Sequence, residues 1–140
     1  MVVENLETFR QILSYRWIRW AEGGTLVIYR GDPESPNQDA AALVRGRTEP
    51  VRVFFDFDPA GLIMAKAIPP ERFAGFVLPS RRWLAAAANT PHGRQLYDRQ
   101  LRGFGATLDE STEPLIQECW EFMKSLASAV AQEGMQRADL

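Results

Sequence analysis

Short apolar clusters alternate along the chain with amphipathic stretches, and the alternation predicts strands and helices in turn. Met1-Val2-Val3 reads as a very short strand. Leu6, Phe9, Ile12 and Leu13 then recur at the helical period, with Asn5 suited to cap the helix and Gly23-Gly24 to end it. Thr25 to Tyr29 reads as a buried strand, Gly31 to Pro36 as a turn-rich loop, and Gln38 to about Val44 as a helix stopped by Gly46. Val51 to Phe57 is the third expected strand, Pro59 to Ile68 the third helix and Phe73 to Leu78 the fourth strand. Strands that alternate with helices form a parallel sheet with right-handed crossovers, which sends Glu4, Gly31 and Asp58 to one edge.

The last third has the pattern of helices alone. Ser80 suits a cap for Arg81 to about Ala88, and Asn89, Pro91 and Gly93 are read as a break before a short segment from Gln95 to Leu101. Gly103 and Gly105 mark a further break. From about Glu113 to Glu133, Leu115, Ile116, Cys119, Trp120, Met123, Leu126, Ala127 and Val130 make one apolar stripe, with Gly134 as its stop. The expected class is α/β, with about four mainly parallel strands flanked by helices and a helical C-terminal third. A chain of 140 residues suits one domain, with a core large enough to need no staples.

Composition narrows the function. Hydrophobic residues are 46% and charged residues 24%, and no apolar run approaches the roughly 18 residues that cross a bilayer, so a membrane role is not expected. With no signal-peptide pattern, a cytoplasmic location is the default. The lone Cys119 forms no internal disulfide and falls among apolar helix positions, as a buried inert thiol. The net charge of −2 argues against holding nucleic acid by bulk charge. Lys66 and Lys124 are the only lysines, however, and arginine is the side chain suited to bidentate phosphate contacts. Arg81, Arg82, Arg94, Arg99 and Arg102 form a basic region whose plainer reading is a solvated helical face.

The densest candidate chemistry is Phe55-Asp56-Phe57-Asp58-Pro59-Ala60-Gly61, where an apolar strand ends in two carboxylates and turns into a helix. Residues two apart in a strand share a face, and ligands gather beyond the carboxyl ends of parallel strands. Asp58 reads equally well as a plain helix cap before Pro59. Asp56, between two phenylalanines, is costly to bury unless it is paired or binds metal. Glu4 ends the first strand in the same manner, although a carboxylate at a helix start is favoured by the dipole alone. His92 reads as a loop residue, and Tyr15, Tyr29 and Tyr97 as packing residues.

Val2-Val3-Glu4-Asn5-Leu6-Glu7-Thr8-Phe9 and Phe55-Asp56-Phe57-Asp58-Pro59-Ala60-Gly61 together resemble, in order, the two acidic motifs of the Toprim domain. The nearest likeness is to the Toprim domain of the topoisomerase VI A subunit and of the nuclease subunit of Wadjet-type anti-plasmid systems. The resemblance implies a Toprim-like, Rossmann-like sheet and a Mg²⁺-dependent DNA-cleaving domain, with Mn²⁺ as a substitute. Asp56 and Asp58 would hold the ion, while Glu4 would bind metal or act as general acid or base. Such modules lie downstream of a DNA-binding domain, so a longer polypeptide or a partner subunit is implied, with a homodimer also open. Gln132-Glu133 weakly resembles a Gln-Glu element late in the anti-plasmid subunit. Two rivals remain: a degenerate Toprim module that binds a partner or nucleic acid without cutting, and a haloacid-dehalogenase-type phosphatase. Pro59-Ala60-Gly61 after the acid pair, on the third strand, speaks against the phosphatase.

Overall fold

The computed structural model describes residues 1–32 and 34–138; Pro33, within the expected turn-rich loop, lies outside them. Val51, Val53 and Phe54 are buried in β3 (Val51–Phe54), which lies inside a four-stranded sheet. Beside it runs β1 (Val2–Val3), and β2 (Ile28–Tyr29) and β4 (Phe73–Phe76) form the two edges in the order β2-β1-β3-β4. All neighbouring pairs are parallel, with Val3 beside both Tyr29 and Phe54. Strands covered on both faces need apolar residues in succession, and Val53 to Phe55 supplies them, with Arg52 before them only half-buried.

Six α-helices lie among the described residues: α1 (Leu6–Arg10), α2 (Gln38–Gly46), α3 (Pro59–Ala65), α4 (Arg81–Ala87), α5 (Pro91–Asp109) and α6 (Pro114–Leu126). Each starts at a side chain that accepts a backbone N–H of the first turn: Asn5, Asn37, Asp58, Ser80, Thr90 and Glu113. Such caps stabilise a helix by about 1 kcal/mol each. α3 packs on α5 and α6, while α1 packs on β1, β2 and a C-terminal 3-10 segment, Gln132–Arg137. Trp120, Phe54, Phe57, Leu62, Leu84 and Leu108 are among the fully buried side chains.

Several expected boundaries move. α1 stops at Arg10 and, after a 3-10 turn over Ile12–Ser14, the chain stays irregular to Val27 instead of remaining helical to Gly23. Tertiary contacts replace the helix there. Tyr15 and Trp17 stand edge-on to Phe54, and the Trp17 indole donates to the Met135 carbonyl at 2.7 Å. β2 is confined to Ile28 and Tyr29, because the two residues of β1 offer only two positions to pair with.

α5 runs unbroken from Pro91 through Gly103 and Gly105, where a short helix between two breaks was expected. Thr90 caps it and Pro91 occupies its first turn, where a missing N–H costs nothing. Gly93 is there for closeness, since a Cβ would sit 2.5 Å from the Ala129 carbonyl oxygen and the Ser128 hydroxyl. α6 ends at Leu126, seven residues before the expected end at Glu133, on Ala127 in the left-handed conformation with φ 47°. The turn is needed because the following chain runs back to the sheet, where Val130 and Phe57 exchange two backbone hydrogen bonds of 2.9 Å.

Candidate acid site at the carboxyl edge of the sheet

Glu4 is the first residue beyond β1, and Asp56 the second beyond β3. The two strands are parallel neighbours with Val3 beside Phe54, so both acids leave the sheet at the same edge. They touch there: Glu4 Oε2 accepts the Asp56 backbone N–H at 3.1 Å. The Glu4 N–H in turn donates to the Phe54 carbonyl at 3.2 Å.

Asp58 is turned into structure. It is 4% exposed, its Oδ1 accepts the Gly61 N–H at 2.7 Å, and its Oδ2 accepts from Gln100 Nε2 at 2.8 Å. The other end of the Gln100 amide accepts the Ala60 N–H at 2.8 Å, so one side chain on α5 ties both the cap and the first turn of α3. Gly61 allows this tight turn, since a Cβ would lie 2.2 Å from the Asp56 carbonyl oxygen.

The segment after α6 closes the site from the other side. Asp56 Oδ1 accepts the Gln132 backbone N–H at 2.6 Å. The Gln132 side chain, wholly buried, donates through Nε2 to the Phe54 carbonyl and accepts the Asn5 N–H at 3.1 Å. Asn5 therefore has two tasks: its Oδ1 caps α1 at Thr8, and its Nδ2 donates to Glu133 Oε1 at 2.6 Å. Glu133 thus stands as a fourth acid near Glu4 and Asp56.

Burial and like charge act together on these acids. Burial, reinforced by Glu4 and more weakly by Asp58 and Glu133, pushes the Asp56 carboxyl up to about 7, against the pull of the Gln132 N–H. Glu4 is also raised, first by burial and then by Asp58 and Glu133, while the Asp56 N–H and Arg30 act in the opposite direction. Arg30 is the first residue beyond β2. Its guanidinium lies 5.8 Å from the Phe55 ring centre and donates to the Met64 sulfur at 2.7 Å. Among the described residues no carboxylate forms an ion pair with it.

Among the described residues no three His, Cys, Asp or Glu side chains stand arranged to hold a metal ion. Two oxygens are nonetheless uncommitted there: Glu4 Oε1 and Asp56 Oδ2 accept no hydrogen bond. A hydrated Mg²⁺ needs only one or two carboxylates, so this pair fits it, and a cation would act against the burial and the repulsion that together hold the Asp56 carboxyl high. Asp58, with both oxygens engaged, contributes position and charge.

The other candidates lie apart from this chemistry. His92 is exposed in the first turn of α5, not in a loop. Burial pushes the half-buried Cys119 thiol up to about 12, the reverse of an activated nucleophile. The hydroxyls of Tyr15, Tyr29 and Tyr97 are all raised, the first and last by burial and Tyr29 by its bond to Asp32. Gln100 and Arg30 were not singled out in the sequence. The only signal for Arg30 is its position one residue after a strand, and for Gln100 there is none.

No curated protein and no solved structure matches the chain. The family model of a domain of unknown function, DUF7281, matches residues 1–140, and the chain belongs to that family.

Proposed function

We propose that the acid site serves Mg²⁺-dependent cleavage of DNA phosphodiesters in a Toprim-like nuclease domain, with anti-plasmid defence as its setting. The observation that carries this reading is the meeting of Glu4 and Asp56 at the ends of two neighbouring parallel strands, where both carboxyls are raised and each keeps one free oxygen. Enzymes place buried, charge-coupled acids where a cation or a proton is handled. Glu4 Oε1 and Asp56 Oδ2 would hold the ion, which when bound polarises a phosphoryl oxygen and favours ionisation of water. Asp58 keeps α3 and the acid-bearing turn fixed through Gly61 and Gln100. Arg30 supplies a cation at the same edge for the phosphate, and Asn5 holds the Glu133 carboxylate beside the pair.

Thermal melting with a metal titration tests the reading. A ligand that binds only the native state raises the melting temperature by mass action, so Mg²⁺ or Mn²⁺ is expected to stabilise the wild-type chain. Asp56→Ala is expected to abolish that increment. An equal response in the two proteins removes Asp56 from the site.

A degenerate Toprim module that binds a partner or nucleic acid without cutting is the second reading. Its specific support is that both Asp58 oxygens and one Asp56 oxygen already serve as acceptors of structural hydrogen bonds, with no three-sided cage among the described residues. A wild-type chain that does not respond to either metal favours it.

A further inference from the structure

At the other end of the strands from the acids a cleft of opposite character, of about 780 Å³, opens where β1, β2, β3 and β4 begin, and a second of about 820 Å³ runs beneath α4 past Phe76, where β4 ends, to Pro79. Arg19 and Arg52 line both, so the two adjoin. Arg47 and Arg72 line the first and Arg82 the second, against a single carboxylate, Glu49, which pairs with Arg47. In a chain of net charge −2 this is a marked local excess of cation.

The charges are positioned without being neutralised. Arg52 Nη1 and Nη2 donate to the Arg19 carbonyl at 3.4 and 3.3 Å, and Arg72 Nε to the Glu49 carbonyl at 3.2 Å. These acceptors orient a guanidinium but cancel none of its charge. Among the described residues Arg19, Arg52, Arg72 and Arg82 form no ion pair. Aromatic rings alternate with them: Trp20, 39% exposed, lines the first cleft, and half-buried Trp17 and Trp83 line the second.

Guanidinium groups and flat apolar rings along two adjoining clefts match a chain of phosphates that carries unpaired bases. A duplex hides its base faces in its own stack, and would meet the rings only with its backbone. An acidic peptide would use the arginines and leave the tryptophans without a partner. We propose that these clefts bind single-stranded nucleic acid, with phosphates on Arg19, Arg52 and Arg82 and bases stacked on Trp20 and Trp83. None of the site's acids lines either cleft, and the proposal does not depend on the nuclease reading. The clefts give an acidic domain a hold on a strand that its net charge does not provide.

Fluorescence anisotropy of the whole chain in EDTA tests the proposal apart from any metal chemistry. The probes are a dye-labelled dT 12-mer, an rU 12-mer and a 12-base-pair duplex, with poly-glutamate as competitor; the first two distinguish DNA from RNA. The expected result is salt-dependent binding of one or both single strands at least about tenfold tighter than the duplex. Arg19→Ala with Arg82→Ala should weaken it about tenfold or more and lower the salt slope by about 0.7 for each phosphate no longer neutralised. Both arginines are exposed and unpaired among the described residues, so the fold should survive the change. Trp20→Ala should cost about tenfold on single strands, and Trp20→Phe should restore most of it. Equal affinity for duplex and single strand would overturn the proposal, as would effective competition by poly-glutamate. So would an equal loss from Arg99→Ala with Arg102→Ala on α5.

Discussion

Asp56 concentrates the physical tension of this protein in one side chain. Its carboxyl stands at about 7, against an ordinary 3.8, because burial and the neighbouring Glu4 oppose its ionisation. Between those two values the folded chain holds a proton that the unfolded chain has released, so stability falls as pH rises and levels off above about 7. The slope is at most about 1.4 kcal/mol per pH unit, and Glu4, shifted in the same direction, adds to it. In EDTA, Asp56→Asn is expected to flatten this dependence and to melt above the wild type at pH 8, with little difference at pH 4. Calorimetry over that range checks it, and a variant no more stable at pH 8 would contradict the shift. This residue was legible in the sequence because an acid between Phe55 and Phe57 at a strand end has no cheap way to be buried. Gln132 was marked only by a resemblance and its bonds were not legible, because its partners Phe54 and Asn5 lie more than seventy residues away and no local pattern announces them.

Among the elements, the segment after α6 departs from its sequence pattern at one residue. The apolar stripe of α6 continues in phase to Val130, and only the left-handed Ala127 and the pairing of Val130 with Phe57 break it. Periodicity reports which positions are buried, and Val130 is buried either way, by a strand-like contact here and not by a helical one. A non-glycine residue in the left-handed region costs about 1–2 kcal/mol. Ala127→Gly is accordingly expected to raise stability by about 0.5–1 kcal/mol, once the greater freedom of the unfolded glycine is subtracted; urea unfolding measures it. Gln132→Ala removes the side chain that serves the Phe54 carbonyl and the Asn5 N–H. The Phe54 carbonyl keeps the Glu4 N–H, so the Asn5 N–H alone is left without a partner, at a cost of roughly 1–3 kcal/mol. A loss under about 0.5 kcal/mol, below the usual net worth of one hydrogen bond, would show that the segment is held elsewhere. The opposite misreading occurred in α5, where Pro91, Gly93, Gly103 and Gly105 suggest breaks yet lie in one helix. Proline in a first turn and glycine at a close contact are both compatible with helix, and local propensity cannot see the contact.

For the molecule as a whole, the alternation of apolar strands and amphipathic helices was enough to anticipate a four-stranded parallel sheet, because each βαβ unit is a local pattern. The shortness of β1 was legible, but strand order and the true length of β2 were not, since they depend on which strands become neighbours. The gathering of arginines along two adjoining clefts that none of the site's acids lines also appears only in three dimensions. It bears on activity: with a net charge of −2, the isolated chain should hold duplex DNA weakly and nick supercoiled plasmid slowly or not at all in Mn²⁺. An upstream DNA-binding domain, or a partner that loads DNA, should restore cutting that requires Asp56. Efficient nicking by the chain alone would refute that dependence.

The return of Val130 and Gln132 to the edge of β3 also has a consequence in time. A ribosome releases β1, β3 and both strand-end acids long before residue 132, so until that residue emerges Asp56 lacks its N–H donor and the Phe54 carbonyl its amide. The acid centre is therefore completed by a stretch that is made 76 residues after Asp56, and a nascent chain of intermediate length carries the acids without the centre.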